Sequence, residues 1–278
     1  MPYSAPIDRA HPTAFLFLVD QSGSMSDMMN DTQSKATIAC DVLNRTLMDL
    51  VIRSTKSDGV RDYFYIGMIG YSGHGVSSGF IPTLGNNSIL HPISAIESNP
   101  LRIEERTQRV SDGCGGLVEQ TVRFPVWFEP SCVGGTPMCE ALFMAADTLA
   151  AWCDAHPDSY PPTILHITDG EANDGSPEPY AEKVKQIGTK DGQVLLFNLH
   201  ISTSSPNPVR FPATNQELSD PFAKMLFNMS SPFSDRMRMY AAHQGLKLNT
   251  GARGFAFNAG LEELVDLFDI GTRAMQLR

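Results

Sequence analysis

The chain has 278 residues, of which 31 are acidic and 21 basic, so its formal net charge is -10. This balance argues against non-specific nucleic-acid binding, which relies on basic patches that neutralise phosphates. The length suits one large α/β domain with a substantial core. No apolar run approaches the roughly 20 residues that a membrane-spanning helix needs.

The cysteines and the amino terminus predict a cytoplasmic protein. The five cysteines form no C-x-x-C pair, and an odd number makes a disulfide framework unexpected in a chain of this size. The first residues, M-P-Y-S-A-P-I-D-R, lack the basic region and apolar core of a signal peptide. We therefore expect a location in a reducing compartment, with no membrane and no nucleic acid as partner.

The first half of the chain alternates predicted strands with a helix. Residues 15–19, F-L-F-L-V, form a continuous apolar run that is typical of a strand covered on both faces. Apolar residues at helical spacing predict a helix over 34–52, and the aromatic and β-branched stretch 63–69 predicts a strand. Residues 71–120 lose clear periodicity and carry many glycines, which predicts a long excursion with short elements. A further strand is predicted at 122–128.

The second half of the chain continues the alternation. The predicted elements are a helix at 138–152, a strand at 163–168, a helix at 179–187, a strand at 194–201, an excursion at 202–234, a short helix, a strand at 254–257 and a closing helix with the apolar stripe Leu261, Leu264, Val265 and Phe268.

This alternation predicts a doubly wound, Rossmann-like α/β fold, with a mostly parallel central sheet flanked by helices. We expect a single domain over residues 13–275, preceded by an N-terminal segment at 1–12 and interrupted by excursions at about 71–120 and 202–234. Such sheets bind ligands beyond the carboxyl ends of their strands, at the point where the strand order reverses.

Three predicted loops carry oxygen-bearing side chains. D-Q-S-G-S at 20–24 follows the first strand, G-G-T-P at 134–137 precedes the second helix, and I-T-D-G at 167–170 ends the central strand. Hard cations such as Mg²⁺ require oxygen ligands in near-octahedral geometry at about 2.0–2.1 Å. The candidate metal ligands are Asp20, Ser22, Ser24, Thr136 and Asp169.

Each loop alone also has a purely structural interpretation. The D-Q-S-G-S stretch could cap a helix, Thr136 with Pro137 could begin one, and T-D-G could be an ordinary turn. Their joint occurrence in this order favours the metal site.

In order and in approximate separation, the three motifs resemble the metal-ion-dependent adhesion site of von Willebrand factor A (VWA) domains, over roughly residues 13–272. The resemblance implies that Ser22 and Ser24 ligate the ion directly, Thr136 directly or through water, and Asp20 and Asp169 mainly through waters. It implies Mg²⁺, with Mn²⁺ or Ca²⁺ as alternatives. It also implies a non-enzymatic module whose ion captures an Asp or Glu of a partner protein.

The chain also resembles a narrower branch, the intracellular bacterial VWA proteins associated with tellurite resistance. The stretches that carry this resemblance are L-R-I-E-E-R-T at 101–107, G-G-L-V-E-Q-T-V-R-F-P-V-W-F at 115–128 and A-R-G-F-A-F-N at 252–258. The resemblance implies a stress response and, as partner, a protein kinase or a phosphatase of the PP2C type.

The main rival is a metal-dependent, phosphatase-like hydrolase that uses the same strand-end Asp20. Aspartyl-phosphate chemistry of the D-x-D type needs an acid two residues further on, where this chain has Ser22.

Two other residues have open interpretations. Asp27 is either a ligand of an adjacent calcium site or a solvated carboxylate, and Cys139 stands at a helix start that would favour a thiolate.

Three arginines, Arg102, Arg106 and Arg109, fall at near-helical spacing in the first excursion. They are interpreted as a docking face or, more simply, as a solvated surface.

Overall fold

The computed structural model describes residues 2–85, 88–111, 117–202 and 208–258, together with residues 266, 267 and 270. The strands in this part of the chain are β1 (Thr13–Asp20), β2 (Thr55–Lys56), β3 (Gly59–Val60), β4 (Phe64–Ser72), β5 (Gly75–Ser78), β6 (Leu90–Pro92), β7 (Arg102–Ser111), β8 (Leu117–Val126), β9 (Thr163–Thr168), β10 (Gly188–Thr189), β11 (Gly192–Gln193), β12 (Leu195–His200), β13 (Val209–Arg210) and β14 (Phe255–Phe257).

The helices connect these strands, and a short 3-10 turn, Gly23–Ser26, follows β1. The α-helices are α1 (Lys35–Ser54), α2 (Ile81–Leu84), α3 (Ile93–Glu97), α4 (Met138–Ala155), α5 (Glu178–Val184), α6 (Pro221–Met229) and α7 (Asp235–His243). Within the described residues, no helix is both long enough and apolar enough to cross a membrane.

The central sheet has the order β13-β14-β12-β9-β1-β4-β5, and β6 shares the outer edge of β4. The five strands from β14 to β4 run parallel, while β13, β5 and β6 pair antiparallel at the two edges. From β1 the chain moves outward to β4 and then returns to β9 on the other side of β1. The strand order therefore reverses between β1 and β9, where doubly wound sheets bind their ligands.

Two apolar cores lie on opposite faces of the sheet. One is formed with α1, α3 and α7, and the other with α4, α5 and α6. Strand β1 contributes side chains to both cores, because its side chains alternate between the two faces of the sheet. Its residues in the first core are Phe15, Phe17 and Val19, and those in the second are Ala14, Leu16 and Leu18. This double burial explains the continuous apolar run and confirms the predicted Rossmann-like α/β class.

The first excursion differs from its prediction. It does contain short elements, α2, α3, β5 and β6, but it also contains the ten-residue strand β7. Strand β8 begins at Leu117, five residues before the predicted strand, and pairs with β7 in a hairpin separate from the central sheet. The helical spacing assigned to Arg102, Arg106 and Arg109 is wrong, since these residues lie on a strand. Much of the hairpin is solvent-exposed, so its strands lack the apolar signal of a buried strand.

The second excursion holds β13 and the nine-residue helix α6. The predicted closing helix, with its stripe Leu261, Leu264, Val265 and Phe268, lies outside the described residues. The domain limits 13–275 stay a prediction. Among the cysteines that the structure describes, Cys40, Cys132, Cys139 and Cys153 are free thiols.

Candidate metal centre at the carboxyl end of the sheet

The candidate site lies where β1 and β9 end side by side. Val19 pairs with Ile167 in the parallel register, so the last residues of the two strands, Asp20 and Thr168, lie at the same edge of the sheet. Asp169 follows directly. The fold thus brings the loops of two predicted ligands, Asp20 and Asp169, to the position where the strand order reverses.

Asp20 organises this edge through both of its carboxylate oxygens. Oδ1 accepts a hydrogen bond from the backbone N–H of Ser22 at 2.8 Å, and Oδ2 accepts one from the hydroxyl of Thr168 at 2.7 Å. The Thr168 hydroxyl in turn accepts the N–H of Gly170 at 2.9 Å. Burial raises the pKa of Asp20 to about 6, against the opposing effect of the hydrogen bonds from Ser22 and Thr168. This carboxylate therefore couples the serine turn to the β9 loop.

The two serines present their hydroxyls as a pair. Ser22 is buried and Ser24 is exposed, and their Oγ atoms lie 3.0 Å apart. Two adjacent corners of an octahedron whose ligands stand about 2.0–2.1 Å from the centre are about 2.9 Å apart. The two hydroxyls are hydrogen-bonded to each other, and their separation also matches that of two neighbouring ligands of Mg²⁺ or Mn²⁺.

The Thr136 loop is tied to the serine turn by backbone hydrogen bonds. The N–H of Gly23 donates to the carbonyl of Gly134 at 2.8 Å, and the N–H of Val133 donates to the carbonyl of Gln21 at 2.7 Å. Thr136, which is 8% exposed, lies two residues beyond Gly134. These bonds fix the loop that carries Thr136 against the loop that carries Ser22 and Ser24.

The same loop is also tied to the loop after β9. The carbonyl of Thr136 accepts the N–H of Asn173 at 3.1 Å. The carboxylate of Asp174 accepts the N–H groups of Cys139 and Glu140 at 3.1 and 3.0 Å, which caps the start of α4. All three predicted loops are thus joined by direct hydrogen bonds, although they come from distant parts of the sequence.

Close backbone packing in this region requires glycine. A Cβ atom on Gly73 would stand 2.8 Å from the nitrogen of Gly135 and 2.9 Å from the Cα of Gly134. Gly134 itself has a φ of +65°, a conformation that favours glycine. The backbone of the loop after β4 therefore packs directly against the backbone of the loop that carries Thr136.

Asp169 is held at both its carboxylate and its backbone. Oδ2 lies 3.2 Å from the ammonium of Lys35, and the backbone carbonyl lies 2.8 Å from Nε2 of His200. The His200 ring stacks on Phe257 with centroids 5.1 Å apart, and burial lowers the pKa of this histidine. Asp169 therefore sits in a fixed position with one oxygen already paired.

Sequence reasoning missed two members of this arrangement, Lys35 and Thr168. Lys35 had a signal: it is the first residue of α1, directly after the N-cap Ser34, where a cation opposes the helix dipole. Thr168 had no sequence signal beyond its place in the I-T-D-G motif, because a threonine at the end of a strand is common.

Two further expectations about side chains are resolved. Asp27 is partly exposed and forms an ion pair with Lys35 at 2.9 Å, which neither of its two interpretations included. The thiolate expected for Cys139 is wrong, because burial and the neighbouring Asp174 raise the pKa of this thiol to about 12. The helix start is already capped by a carboxylate, so the dipole does not stabilise a second anion there.

The donor set differs in kind from a zinc-type site. Nowhere among the described residues do three or more His, Cys, Asp or Glu side chains gather closely enough to hold a metal ion. The ligand set predicted from the sequence has two carboxylates and three hydroxyls, a set of oxygen donors that suits hard cations.

Comparisons with known proteins give only distant likenesses. No family model matches the sequence, and no curated protein does either. Among solved structures, manganese-loaded TRAP protein of Plasmodium vivax is 14% identical over 70% of this chain and 59% of its own, with a TM-score of 0.35. The pilus adhesin SpaC from Lactobacillus rhamnosus GG is 14% identical over 69% and 25%, with a TM-score of 0.41.

A third structure, the vWF domain of the type V pili tip protein Mfa5 from Porphyromonas gingivalis, is 14% identical over 58% of this chain and 39% of its own, with a TM-score of 0.34. The chain spans less than two thirds of the length of each of these three structures. TM-scores of this size do not establish a common fold, so the architecture rests on the strand order and register described above.

Proposed function

We propose that the protein is a VWA-type module that binds an acidic side chain of a partner protein through a divalent cation. The observation that carries this proposal is the pair of serine hydroxyls, hydrogen-bonded to each other at 3.0 Å, at the point where the strand order reverses. The hydroxyls are anchored by a buried carboxylate, Asp20, through the backbone of Ser22.

The ligand roles proposed here follow the chemistry of the donors. Ser22 and Ser24 would ligate directly, with Thr136 as a third hydroxyl, and Asp20 and Asp169 would act mainly through waters. Near-octahedral spacing favours Mg²⁺ or Mn²⁺ over Ca²⁺, which takes 6–8 oxygens at longer distances. When bound, such an ion supplies a strongly electrophilic position, because its direct ligands are neutral hydroxyls.

Exposed apolar side chains near the site support a protein as the partner. Met28 follows the serine turn, Val133 is bonded to Gln21, and Phe222 lies beside Gly170. Their exposed fractions are 54%, 40% and 38%. A carboxylate at the ion would thus be flanked by surfaces that can bury apolar neighbours, which is the composition of an interface core.

The identity of the partner rests on resemblance alone. A protein kinase or a PP2C-type phosphatase in a bacterial stress response remains a proposal, together with the tellurite-resistance branch and the cytoplasmic location. A membrane surface and nucleic acid are not proposed, since the formal charge of -10 repels both phosphate backbones and anionic lipid headgroups.

The rival hydrolase lacks support from the groups nearest the site. His166 is buried and hydrogen-bonded to Tyr71 and Asn198, and burial lowers its pKa to about 4. The Cys139 thiol is protonated at neutral pH, given its pKa of about 12. An assay with a generic phosphoester and Mg²⁺ or Mn²⁺ tests this alternative directly, and turnover that is lost on Asp20→Asn would favour the hydrolase.

The test of the proposal is affinity capture from a lysate with Mg²⁺ and with EDTA, using the wild-type chain and Asp20→Ala. We expect a partner that is retained only by the wild-type chain and only with the ion. Asp158→Ala is the matched control, because Asp158 pairs with Lys190 on the exposed surface. Retention of the same partner by folded Asp20→Ala, or in EDTA, would refute the proposal.

A further inference from the structure

A buried lysine lies inside the candidate metal centre. The Lys35 side chain is only 6% exposed, and its ammonium contacts Asp169 Oδ2 at 3.2 Å, Asp27 Oδ2 at 2.9 Å and the backbone carbonyl of Ser24 at 3.3 Å. An ammonium has three N–H donors, so these three oxygens satisfy it completely. Two of the three belong to residues of the predicted ligand set.

The lysine cannot readily leave this position. It is the first residue of α1, and its backbone N–H donates to the carbonyl of Asp27 at 3.0 Å. Withdrawing the ammonium would leave Asp169, whose side chain is 9% exposed, without its ionic partner. Breaking a buried ion pair on one side is strongly unfavourable. The positive charge is therefore a fixed part of the site.

The charges of the cluster complement a divalent ion. The two candidate carboxylate ligands, Asp20 and Asp169, contribute two negative charges, while Lys35 and its second partner, Asp27, offset each other. Without the lysine, the negative charge of Asp27 would be uncompensated, and the surroundings of a divalent ion would carry one negative charge more than the ion can balance. The negative charge of Asp169 would then no longer be shared with an ammonium group. Its contact with the ion would be stronger and would reduce the attraction of the ion for an external acid.

We propose that Lys35 is a positioning residue that pairs with Oδ2 of Asp169, offsets its charge and so limits how far this carboxylate neutralises the ion. Lys35 lowers the affinity for the metal and raises the affinity of the bound metal for a partner carboxylate. This inference rests on the proposed function, and it adds a residue that sets the balance between holding the ion and holding the ligand.

Removal of the Lys35 charge should therefore change the affinity for the metal and the affinity for the carboxylate in opposite directions. A purely structural role of Lys35 would not do so. In Lys35→Met the repulsive charge is gone and the charge of Asp169 is no longer offset, so we expect Mn²⁺ to bind on the order of tenfold more tightly. The same change should weaken the binding of a carboxylate to the loaded ion, by a similar factor. A lysine that merely holds the loops in place would weaken both on removal.

The experiment uses the full chain, with Mn²⁺ titrated by calorimetry and acetate as the carboxylate probe. Acetate that displaces a coordinated water lowers the water proton relaxation enhancement of bound Mn²⁺, which gives its affinity. Lys35→Gln is the second neutral variant. Lys190→Met, which removes an exposed lysine with a surface partner, is the matched control, and thermal melting in EDTA checks that every variant is folded.

The inference stands if both neutral variants bind Mn²⁺ more tightly and acetate more weakly than the wild-type chain and the Lys190 variant. It is overturned, with the proposed function intact, if the wild-type chain binds Mn²⁺ and acetate but the variants bind Mn²⁺ no more tightly or acetate no more weakly. If the wild-type chain binds no Mn²⁺, the proposed function itself fails, and this inference fails with it.

Discussion

Asp20 is the residue on which the geometry of the site depends, and its environment predicts an unusual pH dependence. The carboxyl is 1% exposed, and burial raises its pKa from 3.8 to about 6. A pKa that is higher in the folded than in the unfolded chain means that the folded state gains stability from the protonated form. That contribution is complete below about pH 4 and is lost as the pH rises through 6.

We therefore expect the metal-free protein to lose roughly 3 kcal/mol of its free energy of unfolding from this one group between about pH 4 and pH 7. Asp20→Asn should lack this loss, because the amide does not ionise. Urea unfolding in EDTA across this pH range measures both proteins, and the difference between their curves isolates Asp20 from the other carboxylates. Parallel curves would show that Asp20 does not ionise in the way its burial requires.

The candidate ligand residues could be proposed from the sequence, whereas the contacts of the residues around them could not. Asp20, Ser22, Ser24, Thr136 and Asp169 stand in short motifs with a known order, so a pattern of letters suffices to propose them. Lys35 contributes through a contact with Asp169 that spans 134 positions of the chain. Only the fold brings such a pair together.

At the scale of elements, the Thr136 loop depends on the glycine behind it. The β4–β5 connection presses the backbone of Gly73 against Gly134 and Gly135 with no room for a Cβ atom. In Gly73→Ala the loop at 133–136 must move by several tenths of an ångström, which shifts Thr136 relative to the serine pair. We expect Mn²⁺ affinity to fall about tenfold, with a stability loss on the order of 1–3 kcal/mol.

Gly23→Ala provides the comparison for that variant. A Cβ on Gly23 would stand 3.6 Å from the carbonyl oxygen of Gly134, which is an ordinary contact. It should therefore weaken Mn²⁺ binding much less than Gly73→Ala, although Gly23 lies within the D-x-S-x-S motif. Calorimetric titration of both variants decides the point. Equal losses, or a larger loss at Gly23, would mean that the backbone contact at Gly73 does not position Thr136.

The predictability of the elements followed their burial. Strand β9 occupies the predicted residues 163–168, and α1 and α4 lie within a few residues of their predicted ranges, because buried strands and amphipathic helices carry a strong apolar pattern. The β7–β8 hairpin was not anticipated at its full length. Its pairing is set by partners across the hairpin, such as Arg102 with Val126, and not by a shared apolar face.

At the scale of the molecule, the doubly wound class follows from the alternation of elements, but the order of the strands does not. The sequence contains no local signal for the return from β4 to β9 across β1, which creates the site. The chain returns in this way because helices must pack on both faces of the sheet. The sequence could thus predict in general terms that a binding site lies where the strand order reverses. That β1 and β9 are the strands that meet there had to be observed in the structure.

The net charge of the whole chain should act on the ion from a distance. A formal charge of -10 attracts a divalent cation, and salt screens this long-range attraction while affecting the buried contacts less. We expect the Mn²⁺ dissociation constant to rise several-fold between about 20 and 300 mM KCl. The triple variant Asp58→Asn, Asp158→Asn, Asp235→Asn removes three exposed charges and should show weaker binding at low salt and a shallower salt dependence.

This measurement separates the long-range electrostatic attraction of the whole molecule for the ion from the affinity that the local contacts supply. The three aspartates each pair with a neighbour on the surface, so their removal leaves the site untouched. If the triple variant and the wild-type chain converge at high salt, the remaining affinity belongs to the hydroxyls, Asp20 and Asp169. An affinity that does not change with salt in either protein would mean that local contacts alone hold the ion, and that the acidic surface serves another purpose.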